Sequence, residues 1–193
     1  MTASQPEEFG DEELVTLAQK GERQAFEVLV ERYKQRAYRI AFGFTRDREE
    51  AKDLSQDAFL HAFTHLNSFD KRASFYTWFY RVLVNLCLDH HRRKGKIPWE
   101  SLDEKTERGN GLDKIATPSP SPDQQAIKEE TSRRIGAALA ELSPKQRAVF
   151  LLRNHEGLPI RQIADMMKAA EGTVKAHLHR AVMALKQSLA ELR

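Results

Sequence analysis

Residues 158–192, "LPIRQIADMMKAAEGTVKAHLHRAVMALKQSLAEL", hold two runs of helical period separated by only "AAE" or so, which is helix-turn-helix spacing. Ile163, Ala164 and Met167 fit a supporting helix, while Val174, Leu178, Ala181 and Leu185 recur as the inward face of a second. Outward on that second helix remain Thr173, Lys175, Ala176, His177, His179 and Arg180. These are donors and one small side chain, with few acids among them. Arg and Lys hydrogen-bond guanine O6 and N7 or neutralise phosphate, and a neutral His still donates one bond, so the face has the chemistry to read a major groove. Arg153 and Arg161 are candidates for added backbone contacts. A plain helical hairpin with a solvated basic face would show the same pattern, and the residues alone leave both readings open.

Upstream, "SPKQRAVFLLRNHEG" carries its own punctuation: Ser143 as N-cap, Pro144 at the first helical position and Gly157 as terminator. Before it, Ile127, Thr131, Ile135, Ala138, Leu139 and Leu142 mark another helix. The stretch from Ile97 to Gln125, proline-rich and containing "TPSPSP", cannot bury enough apolar area to offset chain entropy and reads as a flexible linker. The expected organisation is therefore all-α, with helical domains at 1–95 and 127–193 joined by a Pro/Gly-rich linker at 96–126.

In the first domain, Leu14, Leu17 and Ala18 mark a short helix ending at Gly21. Phe26, Leu29, Val30, Tyr33, Ala37, Ile40, Ala41 and Phe44 predict a helix over Glu22 to Thr45, and Ala51, Leu54, Ala58, Phe59, Ala62, Phe63 and Leu66 predict the next. The other face of that helix shows Asp53, Gln56, Asp57, Leu60 and Thr64. "FYTWFYRVLVNLCLDHHRRKGK", from Phe75 to Lys96, follows the polar turn "NSFDKRAS" with Ser74 as N-cap. Wound as a helix it has a spine of Phe75, Trp78, Phe79, Val82, Leu83 and Leu86. A second stripe holds Thr77, Tyr80, Arg81, Val84, Asn85 and Leu88. That stripe mixes an aromatic, a cation, an amide and a hydroxyl, the set with which single-strand binders stack on bases and bond their edges. Ser68, Phe69, Lys71 and Arg72 in the preceding turn, and Arg92, Arg93, Lys94 and Lys96 after it, lie along the same path. In the simpler structural reading, Tyr80 covers the core edge and Arg81 pairs with an acid.

The net charge of +3 matters less than its distribution. Lys and Arg number 15 against 15 Asp and Glu in residues 1–95, 5 against 8 in 96–130, and 11 against 5 in 131–193. The C-terminal part is a basic module of the kind drawn to phosphate backbones. No apolar run approaches the ~20 residues of a membrane span, the acidic start "MTASQPEEFGDEEL" has no apolar signal core, and the single Cys87 fits a reducing compartment, so the expected location is the cytoplasm. His177 and His179, two apart on a helix, point in different directions, as do His90 and His91, and nothing completes a metal shell. No metal and no cofactor are expected. Nor is an enzyme: no phosphate loop, metal-spaced carboxylates or nucleophile–base pair is present.

"DLSQDAFLHAF", "SFYTWFYRVLVN" and "LRNHEGLPIRQIADMM…EGTVKAHLHRAVMALK", in this order around a Pro-rich linker, resemble the extracytoplasmic-function (group IV) sigma factors of bacterial RNA polymerase, from about Asp11 to the C-terminus. The resemblance implies a chain that binds core RNA polymerase and directs promoter recognition, −10 melting and initiation, in a stress response under a cognate anti-sigma factor. It implies that Asp53, Gln56, Asp57 and Leu60 contact the β′ clamp helices. Ser68, Phe69, Lys71, Arg72, Thr77, Tyr80, Arg81 and Asn85 would take single-stranded −10 DNA. The −35 element would fall to Arg153, Thr173, Lys175, Ala176, His177, His179 and Arg180. The sequence departs from the family pattern at "GLPIRQ", where Pro159 stands in place of a capping Ser or Thr, and at Ala176 and His177, where a Ser and an Arg are common. If His177 reads DNA in its charged form, promoter binding weakens between about pH 6 and 7.5, around the reference His pKa of ~6.5. The competing reading is a two-domain regulator of duplex DNA that works without polymerase and shows a sensor pocket or dimerisation face.

Overall fold

The helix ends of the first domain fall where local chemistry puts them. Gly21 takes a φ of 98°, open to a residue without Cβ. Its N–H donates to Ala18 O at 3.0 Å while the Glu22 N–H donates to Leu17 O at 3.1 Å, closing helix α1 (Asp11–Gln19) with a paired C-terminal motif. Helix α2 (Arg23–Thr45) starts one residue after its expected position and ends at left-handed Arg46. Asp47 then caps α3 (Arg48–His65), its carboxylate accepting from the Glu50 N–H at 2.9 Å. A single 3-10 turn, Leu66–Ser68, leads into the loop before α4 (Phe75–Lys94). There Ser74 caps as expected, its Oγ accepting from the Thr77 N–H at 3.2 Å.

This computed structural model describes residues 9–94 and 133–190, and every regular element among them is helical. The expected linker at 96–126, with Ile127 and Thr131, lies outside the described residues. The second domain runs from α5, described over residues 133–141, through α6 (Pro144–Asn154), α7 (Ile160–Met167) and α8 (Glu171–Ala190). Ser143 and Gln146 form a reciprocal capping box and Pro144 sits at the first turn. Pro159 occupies the N-cap of α7 without a side-chain cap bond, as its lack of a capping oxygen requires.

The α4 spine anchors the first core. Phe79 is fully buried, stacked on Phe59 with ring centroids 4.5 Å apart and flanked by Phe75 and Tyr33. Cys87 is buried below it, and burial pushes its thiol up to about 12. The two expected stripes of α4 are not one inside and one outside. Thr77, Tyr80 and Val84 on the second stripe are buried, whereas Trp78, Val82 and Leu86 on the spine are half-buried. The reason is tertiary: α6 and α7 of the second domain pack against α4, and α6 also packs against α2, so α4 is enclosed from two sides. The same contact explains why Met166, not Met167, is the buried methionine of α7. Phe63, expected in the core, is 46% exposed and only leans its ring on Phe26 at 5.1 Å.

Candidate polymerase and nucleic-acid interfaces

Three surfaces carry the expected site residues. On α3, Asp53, Gln56 and Asp57 are exposed along one face, and Leu60 stands 62% exposed beside them. Spacings of three and four residues place these side chains in one ridge. Phe63, three residues beyond Leu60, extends the apolar end of that ridge. Its sequence position gave it to the core because it lies four residues after Phe59. The signal for the other assignment was available: Phe63 also continues the Gln56–Leu60 row.

On α4 and the turn before it the expected residues divide. Ser68, Lys71, Arg72 and Asn85 are at the surface. The Lys71 ammonium donates to Thr16 Oγ1 at 2.7 Å, and Arg72 pairs with Asp70, whose carboxyl it holds below the usual carboxylate range. Phe69, by contrast, is buried and stacked on Trp78 at 4.9 Å. Thr77 is tied to Ser74 Oγ. Tyr80 has no exposed surface and lies against Tyr76, with centroids 4.6 Å apart, and Tyr33. All three are buried here, a correction to the outward stripe expected for Thr77 and Tyr80 and to the base-facing turn position expected for Phe69. Arg81 is half-buried, and its Nε is enclosed without a partner.

Two residues that sequence reasoning did not select close this region. The Tyr76 hydroxyl donates to the Glu156 carboxylate at 3.0 Å, across from the loop between α6 and α7. Burial first, then the Glu156 charge, pushes both the Tyr76 and Tyr80 hydroxyls above the ordinary phenol range. The Tyr80 hydroxyl is enclosed close to the same carboxylate.

On α8, Thr173, Lys175, Ala176, His179 and Arg180 are exposed, while Val174 and Ala181 are fully buried on the opposite side. That is the division a groove-reading helix needs: one face locked to its supporting helix, the other free to approach base edges. His177 is half-buried, with an enclosed Nδ1 that has no partner. Burial, then Arg180 and Lys145, hold its imidazole below the usual His range. Arg153, exposed at the end of α6, donates to Leu158 O at 2.9 Å and so braces the turn into α7.

A helical chain with an exposed basic face on its C-terminal helix-turn-helix and an acidic ridge on its N-terminal domain is what the comparisons with known proteins place among transcription initiation factors. The model of sigma-70 region 2 matches residues 29–97, and that of sigma-70 region 4 matches residues 132–185. The RNA polymerase sigma-H factor of Pseudomonas aeruginosa is 31% identical over 184 residues, spanning 94% of this chain and 95% of the relative. The ECF RNA polymerase sigma factor SigW of Bacillus subtilis is 31% identical over 176 residues, 90% and 93% of the two chains. Among solved structures, CnrH in complex with the cytosolic domain of CnrY shares the fold, with a TM-score of 0.67 at 20% identity over 94% of this chain and 97% of that one. The chain belongs to the sigma-70 family, in its extracytoplasmic-function group. No described helix is long and apolar enough to cross a membrane.

Proposed function

We propose that this sigma factor engages the β′ clamp helices of core RNA polymerase through Asp53, Gln56, Asp57 and Leu60, with Phe63 extending the contact. The observation that carries this is a leucine 62% exposed among two carboxylates and an amide on one helix face. An apolar side chain so placed suits a partner helix that is basic with an apolar seam. Ser68, Lys71, Arg72, Arg81 and Asn85 are assigned to the −10 strand, with Phe69, Thr77 and Tyr80 reaching it only after rearrangement. Thr173, Lys175, Ala176, His177, His179 and Arg180 take the −35 duplex, with Arg153 positioning the turn beneath them. A cognate anti-sigma factor and a stress-response role complete the proposal, and the two domains are assigned to 1–95 and 127–193. The cytoplasm is the compartment in which such a factor meets its polymerase.

Run-off transcription with purified core polymerase on a pool of promoter fragments tests the assignment. Addition of the wild-type chain is expected to give discrete new transcripts. Asp57→Arg should reduce them at least about 100-fold, because reversing a desolvated interface charge costs several kcal/mol. Asn85→Ala should reduce them about tenfold, the value of one lost hydrogen bond to a strand that must be captured. No transcripts from the wild type, with duplex binding intact, would move the reading to a polymerase-independent regulator.

The depressed His177 revises its expected pH profile. A base whose pKa lies below ~6.5 stays neutral through the neutral range and charges only at lower pH. The ratio of −35 duplex affinities, wild type to His177→Gln, is therefore expected to change less between about pH 6.5 and 8 than an ordinary His would make it change. A ratio that falls steeply between about pH 6.5 and 7.5 would show that the DNA complex uses the charged form.

A further inference from the structure

Of the seven histidines, only His61 and His65 stand four residues apart, the spacing that brings two imidazoles onto one face of a helix. Both are exposed near the end of α3. Their rings lie face to face, with centroids 4.1 Å apart and planes 14° from parallel. His65 Nδ1 is 2.9 Å from the His61 carbonyl oxygen. A carbonyl only accepts, so Nδ1 carries the hydrogen of that bond and the neutral ring keeps its lone pair on Nε2. A histidine whose other ring nitrogen donates to a backbone carbonyl is fixed as metal-ligating histidines are, in tautomer and in orientation.

We propose that His61 and His65 chelate a divalent transition-metal ion, Cu²⁺ most tightly, with Ni²⁺ and Zn²⁺ behind it. Imidazole nitrogen suits these three ions, and affinity at a given nitrogen site peaks at copper. Two nitrogens each ~2.0–2.1 Å from one ion stand about 3–3.5 Å apart. The stacked rings reach that bite by small turns about their Cβ–Cγ bonds. Among the described residues no three His, Cys, Asp or Glu side chains gather around one point. The protein therefore supplies two ligands and water the rest, which makes an open, exchangeable site unlike a closed structural one. Mg²⁺ gains little there, since it takes oxygen ligands and gives up its own water reluctantly.

The pair also continues the acidic ridge. Asp53, Asp57, His61 and His65 follow one another at intervals of four residues, a single row along the helix. All four are exposed, and Leu60 and Phe63 stand exposed beside them. An ion held by His61 lies about one helical turn from Asp57, where neighbouring Cβ atoms are ~5–6 Å apart. Its positive charge offsets the carboxylate at the end of the ridge nearest the apolar side chains. The regulatory consequence rests on the assignment of this ridge to core polymerase; the metal site does not. On that assignment a bound cation opposes a basic partner helix, so metal and polymerase weaken each other's hold on α3 reciprocally.

The full chain is titrated with Cu²⁺ at about pH 7.5, where an ordinary His is neutral. Electron paramagnetic resonance is expected to show tetragonal copper with two nitrogen ligands. His61→Gln and His65→Gln should each lower the affinity at least about tenfold, because even an outer-shell partner of a metal ligand is worth 10–100-fold. His91→Gln should leave it unchanged, and excess Mg²⁺ should not displace the copper. Glutamine suits an exposed helical position, and far-ultraviolet circular dichroism verifies that both variants are folded. In a second arm, saturating Zn²⁺ should weaken the binding of wild type to core polymerase at least about fivefold, the low end of ordinary coupling between sites. The double variant His61→Gln/His65→Gln should be insensitive to it. Equal copper affinity in wild type and both folded glutamine variants, or displacement of the copper by Mg²⁺, overturns the site. Polymerase affinity that is the same with and without Zn²⁺ bound to the pair overturns the coupling. A wild type that never binds core polymerase, while copper still binds the pair, strikes the assignment of the ridge and leaves the metal site standing.

Discussion

Arg147→Ala is expected to lower the unfolding free energy of region 4 by about 3 kcal/mol. The side chain is 4% exposed, and its hydrogen bonds among the described residues all go to backbone carbonyls. Its Nε donates to Leu139 O at 2.7 Å, while its terminal nitrogens donate to Phe44 O and Ala140 O, each at 2.7 Å, and to Leu142 O at 3.3 Å. Three of these carbonyls belong to the end of α5 and the turn after it, where a helix runs out of its own N–H donors. Arg147 supplies the missing ones. Burial, then nearby Arg46, lowers its pKa, so the environment opposes the charge that the carbonyls favour. Removing the fork leaves those oxygens unpaired in a closed space, at ~1–3 kcal/mol each, offset by relief of the buried charge. Arg147→Lys should recover less than half of the loss, because a point ammonium cannot serve a planar set of acceptors. Urea denaturation followed by far-ultraviolet circular dichroism checks both, and a loss below about 1 kcal/mol for the alanine variant would show that the end of α5 finds other donors.

Phe79→Ala is expected to cost region 2 about 3–5 kcal/mol, the usual range for emptying a fully buried phenylalanine site. Phe79 touches rings on three helices: Tyr33 on α2, Phe59 on α3, and Phe75 and Tyr80 on its own α4. A cavity there cannot be filled by one neighbour without loosening another, since the core is close-packed. Phe79→Leu should lose about 1–2 kcal/mol, keeping most of the buried area while giving up the ring contacts. Thermal melts of the two variants check the ordering. A Phe79→Ala loss no larger than that of Phe79→Leu would mean that the site collapses around the smaller residue.

The caps and terminators of this protein are local chemistry, and they were legible. Gly21, Ser74, Ser143, Pro144 and Gly157 act on backbone groups within a few residues, so their effect does not depend on what else packs nearby. The ridge of Asp53, Gln56, Asp57 and Leu60 was legible for a related reason: helical spacing fixes which side chains share a face, whatever that face meets. Its exposure follows from the opposite row, Leu54, Ala58 and Ala62, being buried.

Other assignments needed a partner that periodicity does not name. Tyr80 and Thr77 lie on a face polar enough to be read as outward, yet both are buried, on a helix against which α6 and α7 also pack. Met166 and Met167 are adjacent methionines that differ in burial because α7 meets α4 as well as α8. Phe63 satisfies the core row and the surface row at once, and only the packing around Phe26 leaves it half outside. Glu156 and Arg147 look like ordinary surface charges in sequence. One bonds a tyrosine, and the other a carbonyl, of a domain more than 75 residues away.

The sequence by itself determined the helices, their caps, the helix-turn-helix and the acidic ridge, because each depends on spacing along one chain segment and on interactions a few residues long. The tertiary structure alone decided which side of α4 is open, which methionine is buried and where Arg147 and Glu156 act. Those outcomes depend on contacts between segments far apart in sequence, whose energy no single segment carries.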